Sequence, residues 1–250
     1  MPPLRHTFHR GADAEAVARE AARWFVSLAR AAVAGRGRFG VALAGGSTPR
    51  RVYEIIAADA RDAVGWEKVH VWFGDERCVP ANHAESNYRM ASEALLSRVP
   101  LLPENVHRMT GEGDAAANAR LYEGELRSFF EGEPWPALDL VLLGLGDDGH
   151  TASLFPHTPA IAEREAWVAA NWIEKLDAYR LTLTAPAINH AARVAFVVTG
   201  GAKAAALAEV VEGPRDPLRL PAQLIRPRNG APDWFVDEAA AAQIRGDAGG

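Results

Sequence analysis

The chain has 250 residues, 48% of them apolar and 24% charged, enough to bury one sizeable core. Its formal charge of −5 comes from 27 Lys and Arg against 32 Asp and Glu with no basic cluster, which argues against a nucleic-acid surface. A lone cysteine, Cys78, rules out an intrachain disulfide, and neither a signal peptide nor the roughly 18-residue apolar run of a membrane span is visible, so a single cytoplasmic α/β domain over residues 1–250 is expected.

Residues 13–34 place Val17, Ala21, Trp24, Leu28 and Ala32 at helical spacing, with Gly35 and Gly37 closing the helix. The apolar run 39–44 (FGVALA) ends at Gly45 and Gly46 and reads as a buried strand. A helix follows from about Pro49, with Ser47 or Thr48 as its cap. The pattern repeats at 69–73 (VHVWF), a polar loop GDERCVPANHAES and a helix over about 87–98. Another helix spans 114–131, and 138–143 (LDLVLL) is the most apolar strand. Strand-like segments recur at 167–171, 180–184 and 194–198, a helix covers about 202–211, and the tail RGDAGG at 245–250 reads as disordered. Strands alternating with helices predict crossover connections and a mostly parallel sheet flanked by helices on both faces, with ligands beyond the carboxyl ends of the strands.

Three loops after apolar strands are rich in Gly, charged residues and His. In AGGSTPR (44–50), Gly45 and Gly46 permit close backbone approach, and with Ser47 they lead into a helix whose free N–H groups suit a phosphate. The absence of a GK[ST] ending excludes a nucleotide P-loop. In WFGDER (72–77), Arg77 is suited to an anionic or oxyanionic group and Asp75 to orienting a ligand or a catalytic side chain; the bland alternative is a solvated ion-pair loop.

The third loop, LGLGDDGHTASLFP (143–156), formally matches GxGxxG, yet two prolines stop the helix that a dinucleotide turn requires and paired aspartates would face the pyrophosphate. His150 just after Asp147, Asp148 and Gly149 suits proton transfer better, since a nearby carboxylate orients the ring. Arg180, opening RLTLT, and Lys203, in TGGAK, add cations at strand ends. The eight histidines form no HExxH and one cysteine gives no thiolate spacing; Asp148 and His150 lack a visible third ligand, so no metal and no cofactor are expected.

Taken in order, AGGSTP, WFGDER, SNYRMASEALL, LLGLGDDGHTASLFP, RLTLTAPAIN and TGGAK resemble the motifs of the 6-phosphogluconolactonases, over residues 44–203. The resemblance implies a modified Rossmann-like α/β fold of the glucosamine-6-phosphate deaminase superfamily. It also implies a cytosolic, metal-independent hydrolysis of 6-phosphogluconolactone in the oxidative pentose phosphate pathway. Carried across, His150 is the base, with Arg77 and Asp75 beside it. Gly45, Gly46, Ser47, Asp148, Arg180 and Lys203 bind the phosphorylated sugar lactone, in a monomer or homodimer.

Two rival readings share the phosphate site. Amino sugar phosphate isomerases and deaminases resemble this chain at DGH but carry a glutamate in a pattern like DGHIAFNEP, where this chain has Phe155. A non-catalytic phosphosugar-sensing module of a transcription regulator would need a helix-turn-helix or basic extension, and only one long helix fits before Gly40.

Overall fold

The computed structural model describes residues 6–245. Strand β1 (Thr7–Gly11) leads into α1 (Ala14–Arg36), which starts where the Asp13 carboxylate accepts the Ala16 N–H at 2.8 Å. It ends at Gly37, whose φ of 74° only glycine adopts freely, so Gly35 lies inside the helix rather than closing it. Then come β2 (Phe39–Leu43), α2 (Ser47–Asp59), β3 (Val69–Phe73), β4 (Asp75–Arg77) and α3 (Asn87–Ala91), which passes into a π-helical turn over Ser92–Leu96. The second half holds α4 (Ala115–Phe129), β5 (Leu140–Leu143), β6 (Val168–Ile173), β7 (Ala178–Leu183), α5 (Ala185–Asn189), β8 (Arg193–Val198), α6 (Ala204–Glu212), β9 (Asp233–Asp237) and α7 (Glu238–Ala241).

Six strands form one sheet in the order β1-β9-β8-β5-β2-β3, and every pairing in it is parallel. All residues of β2, β5 and β9 are buried, the signature of a sheet covered on both faces. The expected α/β fold with a mostly parallel sheet is therefore what forms. Large rings fill its core: Trp234 stacks on Phe196 with centroids 4.0 Å apart, and Trp66, Trp72, Phe25 and Phe39 are fully buried. From β2 the chain adds β3 on one side, whereas β5, β8 and β9 build outward on the other. The winding thus reverses between β2 and β5, which is where open parallel sheets leave a crevice at their carboxyl edge.

Three expectations need correction, and one falls outside the described residues. Strands β6 and β7 do not join the parallel sheet; with β4 they form a separate antiparallel sheet in the order β4-β7-β6. The DER triplet is accordingly strand and not loop. Ser47 is not the cap of α2: that position is Gly46, at φ 101°, which offers no side-chain bond. The final stretch RGDAGG lies outside the described residues except for Arg245, whose N–H is fixed by the Glu212 carboxylate at 2.9 Å.

Candidate active site

A cleft of about 370 Å³ opens at the carboxyl edge between β2 and β5. Gly45 and Gly46 reach it from the end of β2, Asp75 and Arg77 from β4, His150 from the loop after β5, Arg180 from β7, and Lys203 from the loop after β8. The second sheet thus brings the DER and RLTLT motifs to the glycine loops of the first. Ser47 and Asp148 do not line the cleft. Ser47 sits exposed on the first turn of α2, and Asp148 stands behind His150.

The loop after β5 opens into turns, and the next regular element is a 3-10 turn at Pro159–Ala162, so GLGDDG presents no helix terminus to a pyrophosphate. Its backbone closes on itself instead: the Gly146 N–H donates to the His150 carbonyl at 2.8 Å, and Gly149 takes φ 75° between them. The Asp148 carboxylate then faces the imidazole, with Oδ1 2.5 Å from His150 Nδ1 and 3.1 Å from its backbone N. Burial alone would raise the Asp148 pKa, but the hydrogen bonds from His150 and Lys175 outweigh it and hold the carboxyl well below the usual carboxylate range. An ionised carboxylate only accepts, so when the ring is neutral the proton sits on His150 Nδ1 and the lone pair on Nε2. Phe155 stacks on the imidazole with centroids 4.0 Å apart and planes at 18°.

Arg77 and Arg180 are direct neighbours in the β4–β7 register. Arg77 donates to the Glu85 carbonyl at 2.5 Å, whereas Nη1 of Arg180 is buried with no partner among the described residues. Burial, followed by the positive charge of Arg77, lowers the Arg180 pKa against the opposing charges of Asp75 and Glu85. Neither Arg180 nor Lys203 forms an ion pair among the described residues. Gly46, which lines the same cleft, caps α2, a 13-residue helix whose first-turn N–H groups receive no side-chain bond from the cap. Tyr53 fixes its approach by bonding both the N–H and the carbonyl of Ala44 at 2.9 Å, and the Thr48 and Thr199 hydroxyls, 2.8 Å apart, tie it to the loop carrying Lys203.

The Asp75 carboxylate is not free in the cleft. It accepts from Ser153 Oγ at 2.7 Å and Asn87 Nδ2 at 3.3 Å, joining β4 to the His150 loop and to α3. Its neighbour Glu76, 2% exposed, accepts from the N–H groups of Arg77, Asn87 and Tyr88 at 2.7 to 2.8 Å and from Ser86 Oγ at 3.0 Å. The charged triplet is therefore no solvated ion-pair loop. Asn87, Ser153 and Lys175 also line the cleft and are not singled out by the sequence, whereas Phe155, which marks the difference from the deaminases there, lines it too. A Cβ on Gly45 would meet Asn87 Oδ1 at 2.0 Å, so the glycine and the asparagine are one feature. Among the described residues no three His, Cys, Asp or Glu side chains gather as metal ligands, and no helix is long and apolar enough to cross a membrane.

Residues 12–234 match the family model described as glucosamine-6-phosphate isomerases/6-phosphogluconolactonase. The chain belongs to this family. Within the family, a 6-phosphogluconolactonase of Synechocystis sp. is 45% identical over 217 residues, covering 86% of this chain and 88% of that one. The solved 6-phosphogluconolactonase of Trypanosoma cruzi superposes with a TM-score of 0.86 at 26% identity, over 98% of this chain and 99% of the other. A monomeric glucosamine-6-phosphate deaminase shares the fold alone, at 19% identity and a TM-score of 0.81 over 96% of this chain and all of the other. The expectation of a sugar lactone hydrolase of the 6-phosphogluconolactonase kind is thereby borne out.

Proposed function

We propose that this chain hydrolyses 6-phospho-D-glucono-1,5-lactone to 6-phospho-D-gluconate with His150 as general base. The observation that carries the reading is the pairing of His150 with an acceptor-only Asp148 at one side of a cleft that also holds an unpartnered guanidinium, Arg180. The phosphate docks between the α2 N-terminus, Arg180 and Lys203, which places the lactone carbonyl beside His150. Nε2 takes a proton from water as the oxygen–C1 bond forms, and Arg77 faces the oxyanion that develops. When the bond from C1 to the ring oxygen breaks, the imidazolium returns the proton to that oxygen. Asp148 keeps the ring in the required tautomer and favours its charged form throughout. Asp75 acts through Ser153 and Asn87 to hold the cleft walls together.

The reading includes a cytoplasmic, metal-independent step of the oxidative pentose phosphate pathway, carried out by a monomer or homodimer. Deamination of an amino sugar phosphate is disfavoured because Phe155, an aromatic ring stacked on His150, offers no carboxyl group for ring opening or proton shuttling. The test is consumption of freshly generated lactone above the spontaneous rate, with a chelator present. Turnover should persist, and His150→Ala should cost on the order of 10²-fold or more. A His150→Ala rate equal to wild type rejects the base.

A further inference from the structure

The geometry points to Lys175 as the positioning residue that holds His150 in its working orientation, an inference that rests on the reading of His150 as the base. Lys175 stands at the tip of the hairpin between β6 and β7, in a 3-10 turn over Glu174–Leu176 that Asp177 closes at φ 48°. From there its ammonium ion-pairs with Oδ2 of Asp148, the oxygen that His150 does not use. The same Nζ lies 4.9 Å from the centroid of Phe155, over the ring that stacks on the imidazole. One cation therefore touches both groups that fix His150, the carboxylate at its edge and the aromatic ring at its face.

Lys175 differs in this from the other cleft cations. Arg77, Arg180 and Lys203 have no carboxylate partner among the described residues, as suits groups that receive a substrate anion, whereas the charge of Lys175 is already engaged. Its side chain is 54% exposed, and an ion pair so open to water contributes little to stability. What it does supply is direction. A carboxylate held at both oxygens cannot rotate about its χ2 bond, so Oδ1 stays on Nδ1 and Nε2 stays aimed into the cleft. Lys175 also sets the charge around the imidazole. The groups facing His150 are Asp148 on its own loop, Lys175 on the hairpin, and Asp75, Arg77, Arg180 and Lys203 across the cleft. Removing Lys175 deletes one cation that opposes the imidazolium and so favours the charged ring.

The experiment measures kcat and KM for 6-phosphoglucono-δ-lactone across the acid limb of the pH–rate profile. It compares wild type, Lys175→Met, Lys175→Arg and His150→Ala, with thermal unfolding of each. Lys175→Met is expected to unfold at the wild-type temperature and to lose about 10- to 100-fold in kcat, the cost of removing a partner that orients an imidazole. Its KM should change little, its acid limb should move to higher pH, and Lys175→Arg should restore most of the rate. A kcat and acid limb equal to wild type, or a loss confined to KM, overturns the assignment, the latter because it marks direct substrate contact. Should His150→Ala retain the wild-type rate, the base reading fails and takes this inference with it. An inactive His150→Ala beside a fully active Lys175→Met rejects Lys175 alone.

Discussion

A methyl group on Gly146 would lie 2.0 Å from Nδ1 of His150 and 2.7 Å from Oδ1 of Asp148, inside any real side-chain contact. Something has to move, and the atoms in the way are the ends of two side chains rather than backbone. Gly146→Ala should therefore fold normally yet break the Asp148–His150 bond, lowering kcat by about 10²-fold with little change in KM, as steady-state kinetics would show. A second prediction follows from the depressed pKa of Asp148. A carboxyl whose folded pKa lies below its unfolded value near 4 contributes stability above that value and loses it as pH falls through the folded pKa. Asp148→Asn should thus be less thermostable than wild type at pH 7, and the gap should narrow as the pH is taken below about 4, measured by thermal unfolding in low-salt buffers. A gap independent of pH would deny the carboxylate its role. Much of this site is legible in the sequence because glycine, aspartate and histidine occur within five residues, 146–150. Lys175 is not legible. Its partner lies 27 residues away, and a lysine in a polar turn looks like any surface cation until the hairpin is folded.

At the scale of elements, the second sheet decides where the cations go. Segments 167–171 and 180–184 are readable as strands from their apolar and β-branched content, but pairing partners are not encoded locally, so the sequence leads to one mostly parallel sheet that includes them. The three-residue β4 is still less legible, since DER has no apolar alternation. What forms it is Glu76, which turns its carboxylate onto the first N–H groups of α3 and so anchors the strand to a helix start. Burial raises the Glu76 pKa against the opposing effect of these backbone bonds, so the group is held at a desolvation cost. Glu76→Ala leaves three N–H groups and a hydroxyl without their acceptor. Chemical denaturation should show a loss of about 2–4 kcal/mol, and the weakened β4 should carry Arg77 away from Arg180 and raise KM. Unchanged stability would mean that water replaces the carboxylate and that α3 needs no such cap.

Across the whole molecule the last strand is placed inside the sheet, between β1 and β8, and it supports the cleft from a distance. Sequence reading missed both β1 and β9. The first is short and half polar, and the second follows a proline-punctuated stretch in which no alternation of strand and helix remains to signal it. Yet Trp234, Phe235 and Val236 are fully buried, and Asp237 at the end of β9 makes two connections at once. It caps α7 by accepting the Ala240 N–H at 2.8 Å, and both its oxygens accept the Gly200 N–H at 3.0 Å. Gly200, at φ 91°, begins the turn that delivers Lys203 to the cleft. Asp237→Ala removes a helix cap and leaves a backbone N–H without its acceptor, together about 2 kcal/mol of stability. Because the same bond positions the Lys203 turn, the variant should also bind the phosphosugar several-fold more weakly while kcat, which depends on the distant Asp148–His150 pair, stays near wild type. Asp237→Asn keeps one acceptor oxygen and should fall between the two. A stability loss without any rise in KM would show that the Lys203 loop is held by its own packing and that the last strand serves the sheet alone.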